Sequence, residues 1–165
     1  GVQRKMRQSK CGDVVVDYPI GAFLQPTVES EMAMRDFVIK HANGAKKVAD
    51  LFCGIGNFTF ALNADGFDIV GSFNQRDLFK KPLTVKMLSK YDLVVMDPPR
   101  AGALEQTREL SKSDVSKIIY VSCNPSTLRR DAAILVRAGY KMMDIAAFDQ
   151  FVGTEHWALG AVFQK

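Results

Sequence analysis

The sequence predicts an α/β fold in which a mostly parallel sheet is covered on both faces by helices. Three observations favour this class: short apolar runs recur along the chain, helical segments separate them, and two of the runs end in proline- or glycine-rich turns. The 165 residues are 47% hydrophobic and 24% charged, which is enough to bury one core. We expect one domain over residues 1–165, with residues 1–20 as a leading segment left from a longer N-terminal region.

The elements can be assigned in chain order. DVVVDYP predicts a short strand, and TVESEMAMRDFVIKHA predicts a helix that follows Pro26 with Thr27 as its N-cap. The apolar runs KKVADLF, YDLVVMD and KIIYVSC predict three buried strands. STLRRDAAILVRAG predicts a helix that Ser126 or Thr127 caps and Gly139 closes. YKMMDIAAFDQF and HWALGAVFQK predict a final antiparallel pair.

Composition limits the cell biology and the partners. No apolar run is long enough to cross a bilayer, and the basic start GVQRKMRQSK has no apolar stretch behind it. We therefore expect a cytoplasmic protein, as a monomer, with no membrane partner. Cys11, Cys53 and Cys123 lack paired or metal-type spacing, which favours free thiols and no metal site. The net charge of +4 is compatible with a nucleic-acid partner.

A glycine-rich turn in ADLFCGIGNFTFAL is the first candidate site. Asp50 stands near the end of a predicted strand, and Gly54 and Gly56 follow it before a helix start. Glycines let the backbone turn tightly and approach a ligand, and the N–H groups of a helix N-terminus favour a polar or anionic group. An ordinary strand-to-helix turn would have the same pattern, so both interpretations stay open.

Two further strand ends carry candidate residues. VVMDPPRAGA ends a buried strand with Asp97, Pro98 and Pro99, where prolines stop the ladder and stiffen the loop. IIYVSCNPSTLRRD ends the next one with Cys123 before an Asn-Pro turn. A cysteine in an apolar strand is usually an inert small hydrophobe. Because the carboxyl ends of parallel strands meet at one edge, however, the three loops are expected to converge on one site.

The motifs DLFCGIGNF, DPPRAGA and SCNPSTLRRD, with FLQP upstream and RDLF between, closely resemble the S-adenosylmethionine-dependent RNA uracil-C5 methyltransferases. The resemblance covers about residues 21–163. It implies a Rossmann-like class I methyltransferase fold, S-adenosylmethionine as cofactor, and transfer of a methyl group to C5 of a uridine in rRNA or tRNA.

The resemblance also implies residue roles. Cys123 is the expected nucleophile toward C6 of uracil, and Asp97 is expected beside it. The positions expected to form the cofactor site are Gln25, Asp50, Phe52, Gly54, Gly56, Asn57, Asp77, Asp97 and Pro98.

The sequence departs from the family pattern at the general base. A glutamate is expected two residues after a histidine in the last hairpin, and Ala158 stands there. His156 would share the strand face of residue 158 by parity and is a candidate base, although it is equally well explained as a structural histidine. Glu155, at an odd offset, is expected to face away from the site.

The second departure is a short centre. FTFALNADGFDIVGSFNQ cannot supply the strands and helices that parallel crossovers need. Either one strand–helix unit is missing, or residues between Ala61 and Gln75 are absent from the printed sequence, in which case a gap in the chain is expected. The acid expected to bind the ribose hydroxyls has no match, with Ser72 and Phe73 nearest. Asp65 and Asp68 are interpreted as turn and surface residues.

Two other functions remain open at this stage. A degenerate relative that binds cofactor or RNA without turnover would explain Ala158 and the short centre. A methyltransferase for an amino group would use the Asp-Pro-Pro loop to hold an exocyclic amine, but it would have no need of Cys123 as a nucleophile.

Overall fold

A computed structural model describes the backbone of residues 5–8, 15–18, 24–149 and 157–165, and within these ranges the side chains from residue 29 onward. The strands are β1 (Lys5–Gln8), β2 (Val15–Tyr18), β3 (Val48–Leu51), β4 (Asp65–Asp68), β5 (Asn74–Gln75), β6 (Leu93–Met96), β7 (Lys117–Ser122), β8 (Lys141–Asp149) and β9 (Trp157–Gln164). The helices are α1 (Leu24–Ala42), α2 (Asn57–Leu62), α3 (Val85–Leu88), α4 (Leu104–Ser111) and α5 (Pro125–Arg137).

Seven strands form one sheet in the order β5-β4-β3-β6-β7-β9-β8. The strands from β5 to β7 are parallel to one another, and β9 is antiparallel to both β7 and β8. The predicted α/β fold with a C-terminal antiparallel pair is thus confirmed. Separately, β1 and β2 form an antiparallel pair.

Alternation along the central strands divides the core between the two faces of the sheet. In β6, Val94 and Met96 belong to the cluster that also contains residues of α3, α4 and α5, such as Leu110. Leu93 and Val95, which alternate with them, belong to the second cluster, with Val38 of α1. A central parallel strand is buried on both sides, so its sequence is a continuous apolar run.

Two predicted helix starts are wrong. The first helix begins at Leu24 rather than after Thr27, because proline is tolerated in a first turn, where N–H groups have no partner within the helix. The N-cap of α5 is Asn124, whose side-chain oxygen accepts a hydrogen bond from the backbone N–H of Ser126 at 3.1 Å.

The short centre lacks a helix rather than a strand. Residues 61–75 are described without interruption. Only residues 69–73 connect β4 to β5, and they contain no helix. Ile69 and Val70 in this connection are exposed, as is Phe60 on α2. Large apolar side chains therefore remain accessible where a crossover helix would cover one face of the sheet.

No helix in the described part of the chain is both long and apolar enough to span a membrane.

Candidate active site

The predicted site residues that lie in described loops meet at one edge of the sheet. Asp97 directly follows β6 and Cys123 directly follows β7, and these strands are parallel neighbours. The glycine-rich turn follows β3, on the other side of β6. Asp77 follows β5 by two residues. The sheet topology therefore brings the loops together, as the sequence predicted.

The turn after β3 has a left-handed backbone at Phe52, Gly54 and Gly56, where φ is 60°, 54° and 90°. Glycine adopts this conformation without steric cost, whereas the backbone of Phe52 is strained in it. A Cβ atom on Gly56 would lie 2.4 Å from Cζ of Phe73. The turn is thus packed closely against the connection between β4 and β5, and a side chain does not fit at Gly56.

Asp68 lies at the same edge of the sheet, next to the glycine-rich turn, and was not among the predicted site residues. It is the last residue of β4, next to β3, and its Oδ2 accepts a hydrogen bond from the backbone N–H of Gly54 at 2.7 Å. Its Oδ1 accepts one from the N–H of Ile69, also at 2.7 Å. The family resemblance predicts an acid at the end of the second parallel strand. The sequence alone did not reveal where this strand ends, because the crossover helix that would follow it is absent.

Asp50 is the third residue of β3 and is fully buried. Its Oδ2 accepts a hydrogen bond from the hydroxyl of Thr59 on α2 at 2.7 Å. This bond joins the strand before the glycine-rich turn to the helix after it. Asp50 therefore holds the two ends of the turn in place from inside the protein.

The loops that follow β6 and β7 are joined directly to each other. The amide of Asn124 donates a hydrogen bond to the backbone oxygen of Arg100 at 3.0 Å, and the hydroxyl of Thr127 donates to the same oxygen at 3.3 Å. The backbone N–H of Asp97 also donates to the oxygen of Leu51 at 3.2 Å, which continues the pairing of β3 and β6. Asp97 and Cys123 thus stand on loops whose relative position is fixed.

The remaining predicted residues differ in their exposure and in their hydrogen bonds. Asn57 is the first residue of α2 and is exposed, and Pro98 is buried. The half-buried Asp77 accepts hydrogen bonds from the backbone N–H groups of Phe79 and Lys80 through its Oδ1. The side chain of Gln25 lies outside the described residues, although its backbone is in α1.

The alternative bases His156 and Glu155 also lie outside the described residues. Ala158 is described and is fully buried. The pairs of β7 with β9 end at Ser122 opposite Leu159, so the next pair in this register would place Ala158 opposite Cys123. Residue 158 is therefore next to Cys123, and its alanine side chain has no proton acceptor.

A cavity of about 550 Å³ lies elsewhere on the sheet, and Asp50, Asp97 and Cys123 do not contribute to its walls. It is lined by residues of β4, β5 and α3 and by the segment before β6, among them Phe67, Leu83, Met87 and Tyr91. Asp65 at the start of β4 also lines it.

The strand order, the glycine-rich turn and the loops after β6 and β7 define a class I methyltransferase fold. Residues 68–165 match the family model described as tRNA (Uracil-5-)-methyltransferase. The chain belongs to this family, and the resemblance drawn from its motifs is confirmed.

Relatives and solved structures agree with this assignment. An "uncharacterized RNA methyltransferase" of Caulobacter vibrioides is 41% identical over 180 residues, covering 94% of this chain and 43% of the relative. The 23S rRNA (uracil(1939)-C(5))-methyltransferase of Shewanella denitrificans is 32% identical, covering 93% and 39%. The chain spans less than half the length of these curated relatives. The first alignment also contains positions that this chain lacks, because 94% of 165 residues is fewer than 180.

The tRNA (uracil-54, C5)-methyltransferase of Pyrococcus abyssi, solved in complex with S-adenosyl-L-homocysteine, superposes with a TM-score of 0.65 at 25% identity. The alignment covers 96% of this chain and 44% of that one. The N-methyltransferase NodS of Bradyrhizobium japonicum superposes with a TM-score of 0.61 at 13% identity, over 85% of this chain and 97% of that one, which shows the fold alone. The cofactor expected from the motifs is confirmed for the family, which is dependent on S-adenosylmethionine.

Proposed function

We propose that this chain is the catalytic domain of a methyltransferase that transfers a methyl group from S-adenosylmethionine to C5 of a uridine in rRNA or tRNA. The observation that carries this proposal is the placement of Cys123 and Asp97 at the ends of neighbouring parallel strands, on loops bonded to each other. The family match and the RNA methyltransferases among the relatives support an RNA substrate.

The chemistry explains why a cysteine is needed. C5 of uracil is a poor nucleophile, but a bond from the Cys123 thiolate to C6 shifts the ring electrons to an enolate that is nucleophilic at C5. When bound, S-adenosylmethionine supplies the electrophilic methyl group for C5. A base must then take the C5 proton so that the C6–sulfur bond breaks and Cys123 leaves as a thiolate.

The residues around the glycine-rich turn fit the cofactor. Gly54 and Gly56 bring backbone to the sheet edge without side chains, and Phe52 precedes them in the same turn. Asp68 places a carboxylate after β4, where the ribose hydroxyls of a nucleoside bind in folds of this kind. Asp77 follows β5, and the family resemblance places it near the adenine. We assign Asp68, rather than Ser72 or Phe73, to the ribose.

Ala158 favours slow turnover. Attack by Cys123 and methylation at C5 need no carboxylate at position 158, whereas release does, so a covalent protein–RNA adduct should accumulate. A protein that only binds RNA would have the same alanine but would form no adduct. The two functions are therefore distinguished by whether the adduct forms.

The test is covalent trapping on a transcript that contains 5-fluorouridine, in the presence of S-adenosylmethionine. Fluorine at C5 cannot leave as a proton does, so the Cys123–C6 bond persists through a denaturing gel. We expect Cys123→Ala to abolish the shifted band, and Cys11→Ala, which keeps Cys53 and Cys123, to preserve it. Normal methyl transfer by Cys123→Ala would refute the mechanism and favour methylation of an amine.

A further inference from the structure

A buried carboxylate lies behind the candidate site. Asp131 on α5 has 0% of its surface exposed. Its Oδ2 accepts hydrogen bonds from the hydroxyl of Tyr120 at 2.6 Å and from the backbone N–H of Ala103 at 2.9 Å. Its Oδ1 accepts one from Nε of Arg130 at 3.0 Å. The carboxylate thus joins β7, α5 and the end of the loop that starts at Asp97.

The neighbours of Asp131 extend this connection. Nη2 of Arg130 donates to the backbone oxygen of Ala101 at 3.1 Å. Gly102, with φ of 77°, has no room for a side chain, because a Cβ atom there would lie 3.0 Å from Oδ2 of Asp131 and 2.8 Å from Nη2 of Arg130. The segment 101–103 is therefore packed and hydrogen-bonded against α5 at three successive residues.

The chemistry of Tyr120 suits a permanent donor. Burial raises the pKa of its phenol well above the usual value, and the hydrogen bond to Asp131 raises it further. The hydroxyl therefore keeps its proton at neutral pH and remains a hydrogen-bond donor. Tyr120 lies on β7, and Cys123 directly follows the last residue of this strand. A displacement of Tyr120 therefore moves Cys123.

We propose that Asp131 and Tyr120 are positioning residues, which set the distance between the loop of Asp97 and the thiol of Cys123. This inference rests on the proposed function, since it concerns the same reaction, but neither residue touches the substrate. Asp131 is fully buried, whereas its partner Arg130 is 40% exposed, and a buried carboxylate is seldom the most stabilising way to fill a core. A network of this kind, which bonds two catalytic loops to each other, instead restricts them to one arrangement.

The chain offers a matched pair of variants. Tyr120→Phe removes the bond to Asp131. Tyr140→Phe removes a comparable buried bond, because the hydroxyl of Tyr140 donates to the backbone oxygen of Val115 at 2.6 Å, away from both loops. Each variant loses one hydroxyl from the core. Because the bond to the Asp131 carboxylate is the stronger of the two, a merely structural role predicts a larger loss of melting temperature for Tyr120→Phe but equal reaction rates of the two variants below both melting temperatures.

The measured quantity is the rate constant of adduct formation at saturating 5-fluorouridine RNA and S-adenosylmethionine. We expect Tyr120→Phe to lower it by about 10- to 100-fold, since misplacement of reacting groups by an ångström has effects of this size. Tyr140→Phe should stay within about twofold of the wild type. Asp131→Asn should slow the reaction at least as much, and the double variant Tyr120→Phe/Asp131→Asn should be no slower than Asp131→Asn alone.

Hydrogen–deuterium exchange of residues 97–103 provides a second measurement that needs no reaction. Tyr120→Phe should exchange this segment at least about threefold faster than Tyr140→Phe does, because Asp131 loses one of its anchors. If the wild type forms no adduct but this difference is found, the proposed function is wrong, while the coupling of residues 97–103 to Tyr120 through Asp131 stands. Equal exchange in the two variants, or equal adduct rates where the wild type reacts, overturns the inference.

Discussion

The exchange Ala158→Glu would give this chain the general base that its family pattern leads one to expect. Ala158 follows Trp157, the first residue of β9, and pairs with Phe148 of β8. On its other side, continuation of the β7–β9 register leads to Cys123. A glutamate at this position would extend from the strand that lies beside Cys123, and we expect its carboxylate to turn from the core toward C5 of a uracil bound there.

The same exchange has a structural cost that can be estimated. Ala158 is 0% exposed and belongs to the apolar cluster that contains Met34, Val38 and Val121. Adding larger groups to a packed core typically costs about 1–3 kcal/mol. For a domain of this size each kcal/mol lowers the melting temperature by about 2–4 °C. The control Ala158→Gln has nearly the same volume and packing cost but provides no base.

The expected gain lies in the release step. General bases typically contribute about 10²- to 10⁴-fold, so the wild type should accumulate a covalent adduct on uridine RNA and turn over slowly. Ala158→Glu should clear that adduct and raise turnover by a factor within this range, whereas Ala158→Gln should not. Tritium release from a transcript with 5-tritiated uridine measures turnover, and a denaturing gel of the same reaction measures the adduct.

Two results would refute this reasoning. Fast turnover of the wild type would show that another group, such as His156 or Glu155, takes the C5 proton. Equal turnover of Ala158→Glu and Ala158→Gln would show that residue 158 does not reach the proton. If neither the wild type nor the variants form an adduct, the binding-only function is favoured.

Two further predictions concern the cofactor side of the site. Gly56→Ala should weaken binding of S-adenosyl-L-homocysteine by more than tenfold in calorimetry, because the added methyl group overlaps Phe73 and the residue must keep φ of 90°; unchanged affinity would show that the turn is not part of the cofactor site. Asp68→Asn should weaken binding about tenfold, since a hydrogen bond to a charged group contributes about 1.5–3 kcal/mol, whereas Asn in place of the exposed Asp114 should have no effect.

The sequence predicted the strand ends well because their local signals are strong. Asp97 and Cys123 each follow a continuous apolar run, and a proline after each of them stops the strand. Asp68 gave no such signal. It ends a strand of only four residues, DGFD, that has no apolar run, and its position depends on pairing with β3. Its recognition as a site residue therefore required the sheet.

The bond between Tyr120 and Asp131 could not be predicted for a different reason. The two residues are eleven positions apart, one on a strand and the other on a helix, and no periodicity of either element relates them. In the sequence Asp131 belongs to the charged run RRD, and such residues usually lie on the solvated face of a helix. Only the packing of α5 against the sheet shows that its carboxylate is buried.

The position of Ala158 beside Cys123 depends on the register of β9, and the burial pattern supports that register. Trp157 is 47% exposed while Ala158 is fully buried, as alternation along a strand requires. A slip of one residue would place Trp157 or Leu159 opposite Cys123 and would reverse every side chain of the strand between the two faces. The apolar residues of β9 already fit both core clusters, with Ala161 and Phe163 on one face and Val162 on the other. A slip would disturb all of these contacts. The place of Ala158 beside Cys123 is therefore fixed by the register of the sheet as well as by the motif.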